Sequence, residues 1–294
     1  MNSFTIKDLE TISGIKAHTI RIWEQRYALI KPSRTDTNIR RYSSDELKHL
    51  LNISLLNKNG YKISHISRMT KPELEEKVLS LSDSSAQHDR LINELIGKLS
   101  AMELDKFEKQ LDNYIQSKGI EKAISQLIFP FLEKIGILWL TNNINPAQEH
   151  LVSNIIRNKL INGIETIRPR MSMNKSFLLF LPESEYHELG LLFVYYLLKV
   201  GGAKVHYLGA NISIKDVAFV IKNLDPDVIY IHLTSTSAKF KFDKFIQHLK
   251  IHSGKSPVII SGYITQQYKK TVPATFHLKK SLTQVIEYIT SLQA

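Results

Sequence analysis

The 294-residue sequence contains no cysteine. Disulfides are therefore excluded, and so is any zinc site built on thiolates. Long apolar runs are also missing. The longest, Leu189–Leu198, falls well short of the ~20 residues that a membrane-spanning helix requires. The start, Met1-Asn2-Ser3-Phe4, has no basic stretch leading into an apolar core, so no secretory leader is expected and a cytoplasmic setting is. No internal repeat and no long low-complexity segment interrupts the chain. Acidic residues are outnumbered, 28 against 39 Lys and Arg, for a formal net charge of +11. What is present is enough apolar residue, 43%, for real cores in a chain long enough for two or three domains. The basic surplus is uneven, because residues 1–71 hold 13 Lys and Arg against 6 Asp and Glu. A local positive field of this kind points to a polyanion partner.

The amino-terminal quarter has the punctuation of short helices. Thr5 caps a first helix with Asp8 reaching back, and Ile6, Leu9 and Ile12 share one face. Ser13-Gly14-Ile15 breaks it, and a second helix is expected over 17–26 with Ile20 and Trp23 turned inward. Lys16, His18, Thr19, Arg21 and Arg26 stay available on its outer side. Two short helices across a glycine turn form a helix-turn-helix, whose second helix can enter the major groove. Next, Lys31 to Tyr42 reads as a β-hairpin around the turn formers Asp36, Thr37 and Asn38. That wing carries Arg34, Arg40 and Arg41. Ser43–Glu46 is a second capping signal, and a helix follows through Leu56. The polar run Ser82–Gln87 reads as linker.

Taken together, Thr19-Ile20-Arg21-Ile22-Trp23-Glu24-Gln25-Arg26-Tyr27, Arg34-Thr35 and Arg40-Arg41-Tyr42-Ser43 resemble the winged-helix DNA-binding domain of MerR-family regulators. The resemblance implies DNA contacts from Lys16, His18, Thr19, Arg21, Arg26 and Tyr27. It also implies phosphate contacts from Arg34, Arg40 and Arg41, since a guanidinium fork grips phosphate without reading sequence. Tyr42 closes the wing and joins this DNA-facing set, although Trp23 and Tyr42 both have the bulk of core residues.

From about residue 89 to 172 the pattern is helical and fits a four-helix bundle. Within it, Trp139 is followed after nine residues by Glu149-His150, with Pro146 suited to the first turn of the intervening helix start. Indole offers a broad flat apolar surface. The spacing W-x9-E-H resembles the cap over the upper face of cobalamin in MerR-type cobalamin-binding regulators. By that resemblance Trp139 packs on the corrin or its upper ligand, and Glu149 and His150 help hold an adenosyl group. In light-sensing members of that family a histidine often follows the tryptophan; here the position is Leu140, so a new cobalt–histidine bond after photolysis cannot form from it.

Beyond residue 173, strands and helices alternate at the period of a doubly wound parallel sheet, Rossmann-like in architecture. Ligands in such sheets sit at the carboxyl edge of the strands. There the stretch Glu185-Tyr186-His187-Glu188-Leu189-Gly190 leads from a strand, Ser176–Leu181, into a helix. His187 has a ring nitrogen suited to a metal, Glu185 can fix its tautomer, and Gly190 permits close backbone approach. The motif Glu185-x-His187-x-x-Gly190 resembles the lower-ligand motif of the cobalamin-binding domain of methionine synthases and mutases. Thr234-Ser235-Thr236 and Ser261-Gly262 fall where that family has S-x-L or S-x-T and a double glycine. The resemblance implies that His187 takes the place of the cofactor's own base below cobalt. The displaced tail is then expected in a cleft bordered by Thr234, Thr236, Ser261 and Gly262.

The expected organisation is therefore a winged helix-turn-helix over 1–75, a linker over 76–88, a four-helix bundle over 89–172 and a Rossmann-like domain over 173–294. The resemblances imply a non-enzymatic transcriptional regulator, a repressor of double-stranded DNA sites, controlled by adenosylcobalamin or another cobalamin and by light. The cofactor is expected between bundle and α/β domain, and self-association as a dimer or tetramer. Two other readings are compatible with the same residues. One is a regulator that uses the rear domain for oligomerisation without cobalamin; the other is a corrinoid carrier of a methyltransferase.

Overall fold

A computed structural model describes residues 4–81, 84–140, 144–169, 173–234 and 240–292, without the side chains of Ser84 and residues 137–140. The chain divides into two compact units, Met1–Ile155 and Ile156–Ala294.

The first unit opens with α1 (Ile6–Ser13) and α2 (Ala17–Tyr27). Thr5 and Asp8 form the expected reciprocal cap. Gly14 ends α1 in the left-handed region, φ 72°, a conformation that costs a residue with Cβ and costs glycine little. The wing pairs β1 (Ser33–Arg34) antiparallel with β2 (Arg40–Arg41). A bridge from Phe4 to Tyr42 ties the chain's beginning to it. Then follow α3 (Ser44–Lys58), α4 (Ile63–Ile66) and α5 (Lys71–Leu79). The linker expected over 76–88 is largely helix, because α5 ends at Leu79 and α6 (Ser84–Ser100) already begins at Ser84.

The helical middle comprises α6, α7 (Leu104–Lys118), α8 (Ile120–Lys122), α9 (Phe129–Leu140) and α10 (Pro146–Thr166). A π-turn, Ala123–Ile128, joins α8 to α9, with the Phe129 N–H bonded five residues back to Ile124. Pro130 follows directly after this widened turn; proline brings no N–H to the ladder and its ring crowds the carbonyl four residues earlier. Leu95, Ile96, Leu99, Phe107, Leu111, Ile128 and Phe131 are buried together in this unit. α3 lies along α6 and α1 meets α9, so the DNA-binding helices and the bundle share one body. Where they meet, Lys134 approaches Asn93 Oδ1 at 3.4 Å and Asp89 at 3.9 Å, and burial pushes its pKa down.

The second unit holds the rear part of α10 and a five-stranded parallel sheet. Its strands are β3 (Ser176–Pro182), β4 (Lys204–Ile212), β5 (Val228–His232), β6 (Val258–Ser261) and β7 (Phe276–Lys279). The helices are α11 (Leu189–Val200), α12 (Ile214–Leu224), α13 (Phe242–His252), α14 (Tyr263–Gln267) and α15 (Leu282–Ser291). The order is β4-β3-β5-β6-β7. β3 and β5 are neighbours, and their following connections leave to opposite sides. The crevice at the ligand edge therefore opens between the loops after these two strands. β4 runs on to Ile212, with a bulge opposite Phe180 at Gly209, where φ is +84°. Its loop begins beyond Ile212.

Phe131 is fully buried and packs on Phe107 with ring centroids 5.3 Å apart. Phe131→Ala should destabilise the first unit by roughly 3–5 kcal/mol. A urea midpoint unchanged from the wild type would show that this pair is not part of its core.

Candidate functional site

Two regions carry chemistry, one in each unit. On α2, Ile20 and Trp23 are buried while Lys16, His18, Arg21 and Arg26 are exposed and Thr19 and Tyr27 half-buried. Ile22 is also exposed, at 48%, and lies between His18 and Arg26 on the same helical face. An apolar side chain there suits a thymine methyl, the one apolar feature of the major groove. On the wing, Arg34 is exposed and bonds Asn38 across the turn at 2.6 Å, while Arg41 is half-buried.

Two expectations for this face need correction. Tyr42 is 1% exposed and donates its hydroxyl to Glu24 at 3.2 Å. It is a core residue, with its pKa pushed up to about 12 by burial and by the Glu24 charge. Arg40 directs its Nε at both oxygens of Glu24, 3.1 and 3.0 Å away. Its guanidinium fastens the wing to α2, and that contact competes with phosphate. The sequence offers no sign of this because Glu24 and Arg40 are 16 positions apart.

In the bundle, Glu149 and His150 occupy the first turn of α10, and His150 Nδ1 is 3.1 Å from Glu149 Oε2. His150 is exposed, and Ser153 also bonds Glu149. Trp139 ends α9, and its side chain lies outside the described residues.

The second unit's site is built on the loop after β3. Glu185 is 0% exposed. One oxygen, Oε1, accepts from the Tyr186 and His187 backbone N–H groups, each at 3.0 Å, and lies 2.6 Å from His187 Nδ1. A carboxylate only accepts, so Nδ1 carries the proton and Nε2 carries the lone pair. Asn211, at the end of β4, holds the same loop. Its N–H donates to the Glu185 carbonyl at 3.1 Å, and its Oδ1 accepts from Ser184 N–H at 3.0 Å.

Next to the histidine, Glu188 accepts from Tyr207 hydroxyl at 2.9 Å and pairs with Arg157 at 3.0 Å. The Tyr207 ring stacks on Tyr195. Burial, with the Glu188 carboxylate beside it, drives the Tyr207 phenol far above its ordinary pKa. Asn211, Glu188, Tyr207 and Arg157 thus position the loop. Only Glu188 had a sequence signal, its place beside His187.

At the far side of the crevice the expected tail cleft is arranged differently. Thr234 is exposed, and Thr236 lies outside the described residues. Ser261 is buried, and its Oγ accepts from Tyr230 hydroxyl at 2.7 Å and lies 2.8 Å from His232 Nδ1. Its hydroxyl is committed to the sheet's own side chains, which corrects its assignment to the tail. Gly190 makes room for protein as well, because a Cβ there would lie 2.3 Å from His232 Nε2. His232 is the residue sequence reasoning misses, since a lone histidine ending an apolar strand has no motif around it.

A helix-turn-helix in the first unit and a fixed imidazole at a parallel-sheet crevice in the second define the class: a DNA-binding protein with a ligand-binding domain. Residues 4–72 match the MerR HTH family regulatory protein model, and residues 91–161 match the B12 binding domain. The chain therefore carries a MerR-type helix-turn-helix domain followed by a B12-binding domain. It is 24% identical over 254 residues to the HTH-type transcriptional repressor CarH of Myxococcus xanthus, covering 84% of each chain. To the repressor CarA of the same organism it is 24% identical over 269 residues, 91% of this chain and 89% of the relative. In fold it resembles the Methanosarcina barkeri monomethylamine corrinoid protein. The TM-score is 0.55 at 11% identity, over 70% of this chain and 99% of that one.

His232 has its pKa pushed down to about 4 by burial, against a smaller upward pull from Glu185. Below the ordinary value near 6.5 the unfolded chain takes up a proton that the folded ring refuses. Stability should therefore fall as pH drops from about 6.5 to about 4 and level off below, a loss on the order of 3 kcal/mol. Urea midpoints across pH 4–7 check this against His232→Asn, in which the slope should be shallower by this contribution; equal slopes would refute it.

Proposed function

We propose that this protein is a transcriptional repressor whose self-association and grip on DNA are set by bound adenosylcobalamin, with light as the signal. The observation that carries the reading is the Glu185–His187 pair at the switch-point crevice of a chain that also bears a MerR-type domain. The residues fit the metal end of the cofactor. A buried carboxylate fixes one ring nitrogen as a donor and leaves the other as a basic ligand atom, the arrangement by which proteins hold an imidazole on a transition metal. When bound, the group supplies a light-sensitive cobalt–carbon bond.

The chain's own part is to bind and orient. His187 would hold the metal, while Glu185 and Asn211 keep the loop in one conformation and Glu188 ties it to Arg157 of α10. Glu149, His150 and Trp139 are proposed, from the W-x9-E-H resemblance, as residues that engage the upper group. Lys16, His18, Thr19, Arg21, Arg26, Tyr27, Arg34 and Arg41 are the proposed DNA contacts. Cofactor affects DNA binding only to the extent that it favours one assembly over another, and a dimer or tetramer would place paired helix-turn-helix domains on successive half-sites.

Among the described residues no helix is long and apolar enough to cross a membrane. The reading involves no catalysis: the crevice is proposed to hold a ligand whose presence is reported to DNA.

His187→Ala should weaken retention of adenosylcobalamin at least ~tenfold and remove the absorption signature of an imidazole below cobalt. An unchanged affinity and spectrum would eliminate His187 as the lower ligand. Arg41→Ala should weaken binding to duplex DNA and lower the slope of log K against log salt by about one. If both affinity and slope match the wild type, Arg41 does not meet phosphate.

A further inference from the structure

The crevice beside the loop after β3 is floored by the end of β5. Two glycines face that floor, Gly190 at the start of α11 and Gly262 after β6. Neither leaves open space. A Cβ on Gly190 would lie 2.3 Å from His232 Nε2, and one on Gly262 would lie 2.3 Å from the Leu233 carbonyl oxygen. The gaps are filled by an imidazole and a stretch of main chain.

His232 is also anchored. β5 and β6 pair it with Ser261 in register, and Nδ1 lies 2.8 Å from Ser261 Oγ. Tyr230 donates to that same oxygen at 2.7 Å. Ser261's own proton is then the one available for Nδ1, and a neutral ring protonated on Nε2 completes the chain Tyr230 to Ser261 to His232. Moving the ring out would strip Ser261 of this partner in a buried place, and buried polar groups are costly to leave unpaired.

We infer that His232 determines ligand specificity: its ring fills the space facing Gly190, beside the Leu233 main chain that closes against Gly262, on the side of the crevice where the nucleotide tail of a cobalamin would lodge, so the site selects a corrinoid by its ring and upper group and is indifferent to the tail. This rests on the cofactor reading above. A tail could enter only by expelling the ring, and the lost Ser261 contact would offset what the tail gains.

The test uses the full chain in the dark, titrated by absorbance with adenosylcobalamin and with adenosylcobinamide, which has the same ring and upper group but no nucleotide. The ratio of the two affinities is compared between proteins, which cancels the cost of detaching the tail's base from cobalt. His232→Ser vacates the ring's volume while keeping a hydroxyl for Ser261; His232→Phe refills it. Wild type and His232→Phe should share one ratio within threefold. His232→Ser should shift the ratio at least tenfold toward cobalamin, with cobinamide affinity unchanged. An unshifted ratio in a normally melting His232→Ser protein overturns the inference.

A measurement on the wild type needs no variant to fold. In protein labelled with nitrogen-15 histidine, the His232 ring signals should respond identically to both corrinoids. A change seen with cobalamin alone means the tail displaces the ring, and also overturns the inference. Retention of neither corrinoid by any of the three proteins would refute the cofactor reading itself and the inference with it. A tail-dependent response would refute only the inference.

Discussion

A carboxylate with no exposed surface must satisfy its charge within the protein or give it up. Glu185 does so through one oxygen that gathers two main-chain N–H groups and the His187 ring. Everything proposed for the second unit depends on that knot. It determines which ring nitrogen carries the proton, and it fixes the turn between β3 and α11. Because Asn211 grips the Glu185 carbonyl from β4, the knot is joined to the strand next door as well. An imidazole held this firmly loses little freedom on meeting a metal, which is the physical content of preorganisation.

The same economy appears in the first unit. Glu24 collects Arg40 and Tyr42, so one carboxylate on α2 sets the pose of the wing. Burial of Tyr42 and of Trp23 gives the helix and hairpin a shared core, and the guanidinium that looks like a phosphate clamp in the sequence serves as a brace. The DNA-binding helices are continuous in packing with the bundle through α3 and α6.

How much was legible in advance differs by residue. Glu185 and His187 stand two positions apart, and local spacing alone brings a carboxylate to an imidazole in a turn. The caps at Thr5 and Ser43, the break at Gly14 and the alternation of strands and helices are likewise local, governed by hydrogen bonds within a few residues. Arg40 read as a DNA contact because its partner is 16 positions away. The course of β4 depends on a bulge against β3, which no single strand's pattern can announce. Ser261 looked like a poor glycine facing a ligand, when its side chain in fact serves Tyr230 and His232.

By itself the sequence determined the order of the helix-turn-helix and rear regions, the basic character of the first quarter, the parallel sheet and the pairing of Glu185 with His187 in the turn after β3. These follow from periodicity, charge and short-range geometry, which the chain carries in linear form. Only the tertiary structure decided which polar side chains are spent inside the protein. Arg40, Tyr42, Ser261 and His232 have partners set by the packing of wing on helix and of one strand on the next. Whether such a side chain meets a ligand or a neighbour is a competition between distant groups, and its outcome exists only once the sheet and the helices have closed around them.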